Sequence, residues 1–81
     1  MISAHNFYVI KTLFGKRITT LRKANGLTQE QLAESSGYSV EFISFIERGK
    51  NGPSLEGIKR LARALAVTEA DLFNFTEESM R

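Results

Sequence analysis

The sequence predicts an all-α domain of five helices, and three observations carry that prediction. Apolar residues recur at three- and four-residue steps, the helical period. Serine or threonine stands at the head of every helix after the first (Thr28, Ser39, Ser54, Thr68). Gly26, Gly37, Gly49 and the Asn51-Gly52-Pro53 run punctuate the intervals. No strand-like alternation, internal repeat or linker interrupts this pattern, so residues 1–81 read as one domain.

The first helix follows from Ile10, Leu13, Phe14, Ile18 and Leu21, ending at Asn25 with Gly26 in the left-handed capping position. Gly15 inside it weakens it by about 1 kcal/mol relative to alanine, a cost that close approach of another helix would explain. Thr28-x-x-Gln31 is a capping box opening the second helix, with Leu27 poised to pack on Leu32 as a hydrophobic staple. Leu32 and Ala33 point inward, and Ser35-Ser36-Gly37 ends that helix after barely two turns. Ser39 caps the third, whose inward stripe is Ile43 and Ile46 and which stops at Arg48-Gly49. Two short helices joined by a glycine-containing turn are the helix-turn-helix layout, here spanning 28–47. Ser54 caps a fourth helix with an inward stripe of Leu55, Ile58, Leu61, Ala62 and Leu65. Thr68 caps a short fifth, with Glu69 and Asp71 suited to its first turn. The globular part is therefore 10–75, flanked by an N-terminal arm or helix extension over 1–9 and a frayed tail over 76–81.

Composition narrows the function. With 42% hydrophobic residues and a quarter charged, the chain is ordinary globular protein. It has no cysteine, hence no disulfide framework or thiolate metal site, and its single histidine cannot build a zinc site or a catalytic relay. No metal set, nucleophile–base pair or phosphate loop is present, so the expectation is no enzyme and no cofactor. No apolar run is long enough to span a bilayer and no signal peptide is recognisable; the expected location is the cytoplasm, nucleoid-associated when bound to DNA. Charge is laid out in blocks. Residues 1–25 hold Lys11, Lys16, Arg17, Arg22 and Lys23 with no acid, 26–47 hold only acids, 48–64 are basic and the tail is acidic. Basic lobes flanking a reading element and ordinary solvated helix faces both fit that layout.

Leu21-Arg22-Lys23-Ala24-Asn25-Gly26-Leu27-Thr28-Gln29-Glu30-Gln31-Leu32-Ala33, then Gly37, Ile43 to Lys50 and Pro53-Ser54-Leu55, resemble the lambda-repressor/Cro-like family of the xenobiotic-response-element class. The resemblance runs from about Phe14 to Phe73 and implies a five-helix lambda-repressor-like domain that binds double-stranded DNA. It implies that Thr28 and Gln29 hold phosphate at the start of the second helix, where exposed N–H groups help; a plain helix-starting role is the alternative for Gln29. It places Arg48, Lys50 and Asn51 on the backbone of the adjacent strand, with Asn51 standing where members often carry a basic residue. It pairs Arg22 with Glu47 as a structural ion pair that sets the angle of the third helix.

With Ile43 and Ile46 turned inward, Ser39, Val40, Glu41, Ser44 and Phe45 are left to face DNA, and the family implies that these positions read base edges. The serines can hydrogen-bond to bases or phosphates, and Val40 can pack on a thymine methyl. Glu41 either accepts from a cytosine amino group or is a solvated charge. Phe45 has three readings: contact with a thymine methyl, packing under the following loop, or part of a protein-binding surface. No arginine between Ser39 and Glu47 can take a guanine bidentately. His5 reads as a surface residue of a loose arm, and with no Arg or Lys in residues 1–10 a minor-groove arm is not expected.

A single half-site offers few contacts, so a two-fold homodimer is expected, with Leu72, Phe73 and Phe75 supplying much of its interface; closing the chain's own core is the alternative for these three. The expected function is a dimeric transcriptional regulator, a repressor acting on a palindromic operator, such as a restriction-modification controller. The other reading, drawn from Phe45 and Glu41, is a protein-interaction module of the same fold with a toxin or the transcription machinery as partner.

Overall fold

A computed structural model describes residues 4–79, with side chains from Val9 to Glu78. Five α-helices and one 3₁₀ turn follow one another with no strand among the described residues: α1 Ala4–Ala24, α2 Gln29–Ser36, α3 Val40–Glu47, α4 Leu55–Ala64, the turn Ala70–Phe73, and α5 Thr76–Ser79. Helix α1 starts at Ala4, six residues before Ile10, so over the described residues the segment expected as an arm or helix extension is a helix extension. The surface placement expected of the His5 side chain lies outside the described residues.

The short helices form because their ends are satisfied locally. Thr28 Oγ1 accepts from Gln31 N–H at 3.0 Å while Gln31 Oε1 accepts from Thr28 N–H at 2.8 Å, the reciprocal box the sequence announces. Gly37 closes α2 in the left-handed region (φ 79°), which costs glycine nothing, and its N–H bonds back to Ala33 O. Ser39 and Ser54 cap α3 and α4 by accepting from Phe42 and Gly57 N–H. Thr68 and Asp71 make a second reciprocal box, 3.1 Å in each direction, but it opens a 3₁₀ turn and not the expected α-helix.

The inward stripes meet in one core: Phe14 and Ile18 from α1, Leu32 and Ala33 from α2, Ile43 and Ile46 from α3, Leu61, Ala62 and Leu65 from α4 and its cap, and Leu72. Gly15 lies where α1 crosses the end of α3. A Cβ built there would stand 2.3 Å from Ile46 O and 2.8 Å from Glu47 O, so the expected close approach is backbone on backbone.

Three expectations are corrected. Leu55 is not part of the inward stripe: it is 87% exposed, and the buried residue of that first turn is Gly57, against Tyr38. Ile10, expected on the inner face of α1, is 42% exposed. The tail is not frayed over 76–79: α5 forms, and Glu78 is buried within 3.7 Å of Arg17 Nη1. Arg17 Nε also donates to Asp71 O at 2.8 Å, so one α1 side chain holds both the 3₁₀ turn and α5.

Candidate nucleic-acid interface

The helix-turn-helix angle is fixed by the end of α3. Glu47, 6% exposed at its side chain, accepts two bonds from Arg22: Nε to Oε2 at 2.6 Å and Nη2 to Oε1 at 3.0 Å. A bidentate guanidinium–carboxylate pair fixes direction as well as distance. Arg22 Nη1 donates in addition to Leu27 O at 2.9 Å, gripping the loop that enters α2. Gln29 Nε2 donates to Glu47 Oε1 at 3.0 Å. Burial pushes the Glu47 carboxyl up, but hydrogen bonds from Arg22 and Gln29 and the Arg22 charge outweigh it and hold the group below the usual carboxylate range.

On that frame, Gln29, Val40, Glu41, Ser44, Phe45 and Arg48 line one shallow depression between the start of α2 and the outer face of α3. The phosphate candidate from α2 and four of the five base-reading candidates from α3 thus share a surface. The fifth, Ser39, is exposed at the head of α3. Its oxygen is engaged with Phe42 N–H, as that of Thr28 is with Gln31 N–H, and both hydroxyl hydrogens stay available to an acceptor outside the chain. Val40 is half-buried against the core, which leaves only part of it to a ligand.

Phe45 is 39% exposed and carries the Arg48 guanidinium over its ring, 5.0 Å from the centroid. That contact of about 0.5–1 kcal/mol at an exposed site holds Arg48 beside the depression. Glu41 is exposed and makes no ion pair among the described residues. Lys50 and Asn51 are exposed in the loop after α3, beyond the lining of the depression.

The three residues expected at a dimer interface separate. Leu72 is fully buried in the chain's own core and is not available to a partner. Phe73 is 45% exposed, with its ring 5.2 Å from that of Phe14 and 6.1 Å from that of Phe75, which is half-buried. Sequence reasoning missed Ile10, Pro53 and Ile58, which line an apolar groove with Phe14 and Phe73. Along the chain Ile10 and Ile58 read as inward positions, so no sequence signal marks that groove. No helix among the described residues is long and apolar enough to cross a membrane, and they contain no cluster of metal-ligating side chains.

Comparison with known proteins gives the same layout. The model of the family described as Helix-turn-helix matches residues 18–72. The chain is 36% identical over 70 residues to an uncharacterized HTH-type transcriptional regulator, y4dJ, of Sinorhizobium fredii, covering 86% of this chain and 91% of that one. It is 37% identical over 68 residues to the control protein C.BamHI of Bacillus amyloliquefaciens, covering 83% and 84%. The crystal structure of the restriction-modification controller protein C.AhdI from Aeromonas hydrophila superposes with a TM-score of 0.76 at 41% identity, covering 78% of this chain and 96% of that one.

Proposed function

The chain belongs to the Helix-turn-helix family and is a DNA-binding transcriptional regulator; on that premise we propose that it works as a homodimeric repressor on a palindromic operator. The family is one of regulators and not of enzymes. The observation that supports the reading most is the single depression shared by Gln29, Ser44, Phe45 and Arg48 beside the exposed head of α3. In this reading α3 enters the major groove. Ser39, Val40, Glu41, Ser44 and Phe45 meet base edges, and Thr28, Gln29, Arg48, Lys50 and Asn51 hold phosphates. The similarity to control proteins favours an autoregulated controller of a small gene cluster.

Selection of bound sites from random duplex DNA, followed by gel shift at two salt concentrations, tests this. The expected result is a palindrome with half-site centres about one helical turn apart and binding that weakens steeply with salt. Absence of any binding at low salt overturns it and leaves the exposed Phe45 and unpaired Glu41 to a protein partner such as a toxin.

The dimer is proposed to form through Phe73 and Phe75 together with Ile10, around the apolar groove. Phe73→Asp is expected to leave the fold intact, because that ring is 45% exposed, and to convert the dimer to monomer in sedimentation. Operator affinity should fall at least a hundredfold with the second half-site lost. A dimer that survives the substitution places the interface elsewhere.

A further inference from the structure

Outside the helix-turn-helix, the last two turns of α1 carry a second depression, lined by Lys16, Thr19, Thr20, Lys23 and Glu47. Resting on the DNA-binding reading, we infer that this face is a second phosphate-binding track, which grips the DNA backbone flanking each half-site without reading its sequence. The charge balance on α1 points this way. Of its basic residues in 16–23, Arg17 is engaged by Glu78 and Arg22 by Glu47, whereas Lys16 and Lys23 are exposed and have no ion pair among the described residues. The one acid lining the depression, Glu47, already has its charge met by the bidentate Arg22. The two lysine charges therefore face solvent uncompensated.

The shape agrees with the charge. Lys16 and Lys23 are seven residues apart on a helix, so their backbones stand two turns or about 10 Å apart along one face. Side chains that far apart can each meet a different phosphate of one strand, whose backbone winds around the duplex axis as it rises by about 3.4 Å per nucleotide. Between them on α1 the depression is lined by the two threonines, whose hydroxyls donate back to Gly15 O and Lys16 O at 3.0 Å, and its one carboxylate, Glu47, is the group already held by Arg22. The track is also continuous with the reading face: Glu47 lines the α1 depression, and Gln29, bonded to Glu47, lines the one beside α3. A nucleic-acid strand held at Gln29 is thereby led toward Lys23 and Lys16.

The other basic groove, lined by Ser35, Ser36, Arg60, Arg63 and Ala64, lacks this character. It lies at the C-terminal ends of α2 and α4, where the arginines answer the negative helix ends, and Arg60 is committed to the Tyr38 ring at 4.5 Å.

Fluorescence anisotropy over a salt series decides the matter, with the full chain and a labelled duplex of roughly three helical turns carrying the selected site. The Lys16→Gln/Lys23→Gln variant is expected to flatten the plot of log K against log salt by about 1.8, from about 0.9 for each of two phosphates. Its preference for the selected site over a random duplex should not change. The Lys59→Gln/Arg63→Gln variant removes the same charge from α4 and should keep the wild-type slope. Trimming the duplex to the contacted half-sites should abolish the difference between wild type and the α1 variant. Wild-type binding with an unchanged slope in the α1 variant, or an equal change in the α4 variant, overturns the track alone. A wild-type chain that binds no duplex overturns the track and the DNA-binding reading together.

Discussion

Replacing Gly15 with alanine is expected to lower the stability of the domain by about 2–3 kcal/mol, although alanine is the better helix former. The propensity gain at a helix interior is about 1 kcal/mol. Against it stands a methyl group placed 2.3 Å from Ile46 O and 2.8 Å from Glu47 O. Backbone atoms cannot rotate away as a side-chain tip can, so α1 and α3 must separate. Overpacking costs about 1–3 kcal/mol and more in rigid places; with backbone on both sides and the Arg22–Glu47 pair stretched beside it, a cost of about 3–4 kcal/mol is expected here, which leaves the net loss of about 2–3 kcal/mol. For a domain of this size the loss lowers Tm by on the order of 10–20 °C. Thermal melts followed by circular dichroism measure it, with Gly52→Ala as the comparison, since nothing lies within 4 Å of a Cβ at Gly52. A Gly15→Ala protein that melts with the wild type would mean the two helices are not in contact there.

The second large effect is at the buried pair. Arg22→Ala is expected to cost about 3–5 kcal/mol, chiefly by stranding the Glu47 carboxylate with only neutral partners, Gln29 and Thr19. Replacing both partners by apolar residues of similar volume, Arg22→Met with Glu47→Leu, should cost much less, since no charge is then left buried. Chemical denaturation of both variants separates the two cases. The pair also sets a pH dependence. Glu47 has a lower pKa folded than its ordinary 4.5, so unfolding at intermediate pH takes up a proton. The stabilisation from this group is complete above about pH 4.5 and is lost as pH falls through the depressed folded value. Stability measured against pH should lose that acidic slope in the doubly apolar variant. An unchanged slope would assign it to another carboxylate.

The parts of the fold legible in the sequence were those decided by neighbours along the chain. Thr28, Gly37, Ser39 and Ser54 act on backbone groups three or four residues away, and each is found in the expected role. The stripes of α2 and α3 were legible for the same reason: both helices are short and covered along their length. Periodicity gives the face of a helix, however, and not how far its partner extends. Leu55 and Ile10 fit the stripe spacing yet stay exposed, and in the first turn of α4 it is Gly57 that Tyr38 covers. Leu72 and Phe73 were grouped because an α-helix too short to bury them was assumed. In a 3₁₀ turn, with three residues per turn, Leu72 goes to the core and Phe73 outward. Glu78 was illegible because a carboxylate in an acidic tail reads as solvated, and its partner Arg17 is near the other end of the chain. At the interface, the positions of the α3 residues were legible from the Ile43–Ile46 stripe. The stacking of Arg48 on Phe45 was not, because it depends on how the chain leaves α3.

The division of labour along α3 bears on how such a protein changes its target over generations. Ile43, Ile46 and Glu47 face inward and are bound to their neighbours, while Glu41 is exposed, Ser44 is half-buried, Phe45 is 39% exposed, and none of their side chains caps a helix. The outward row can be rewritten with almost no penalty to folding. If these three residues read the operator as proposed, a gene copied from this one needs changes at only three codons to address a new site, while inheriting its scaffold unaltered.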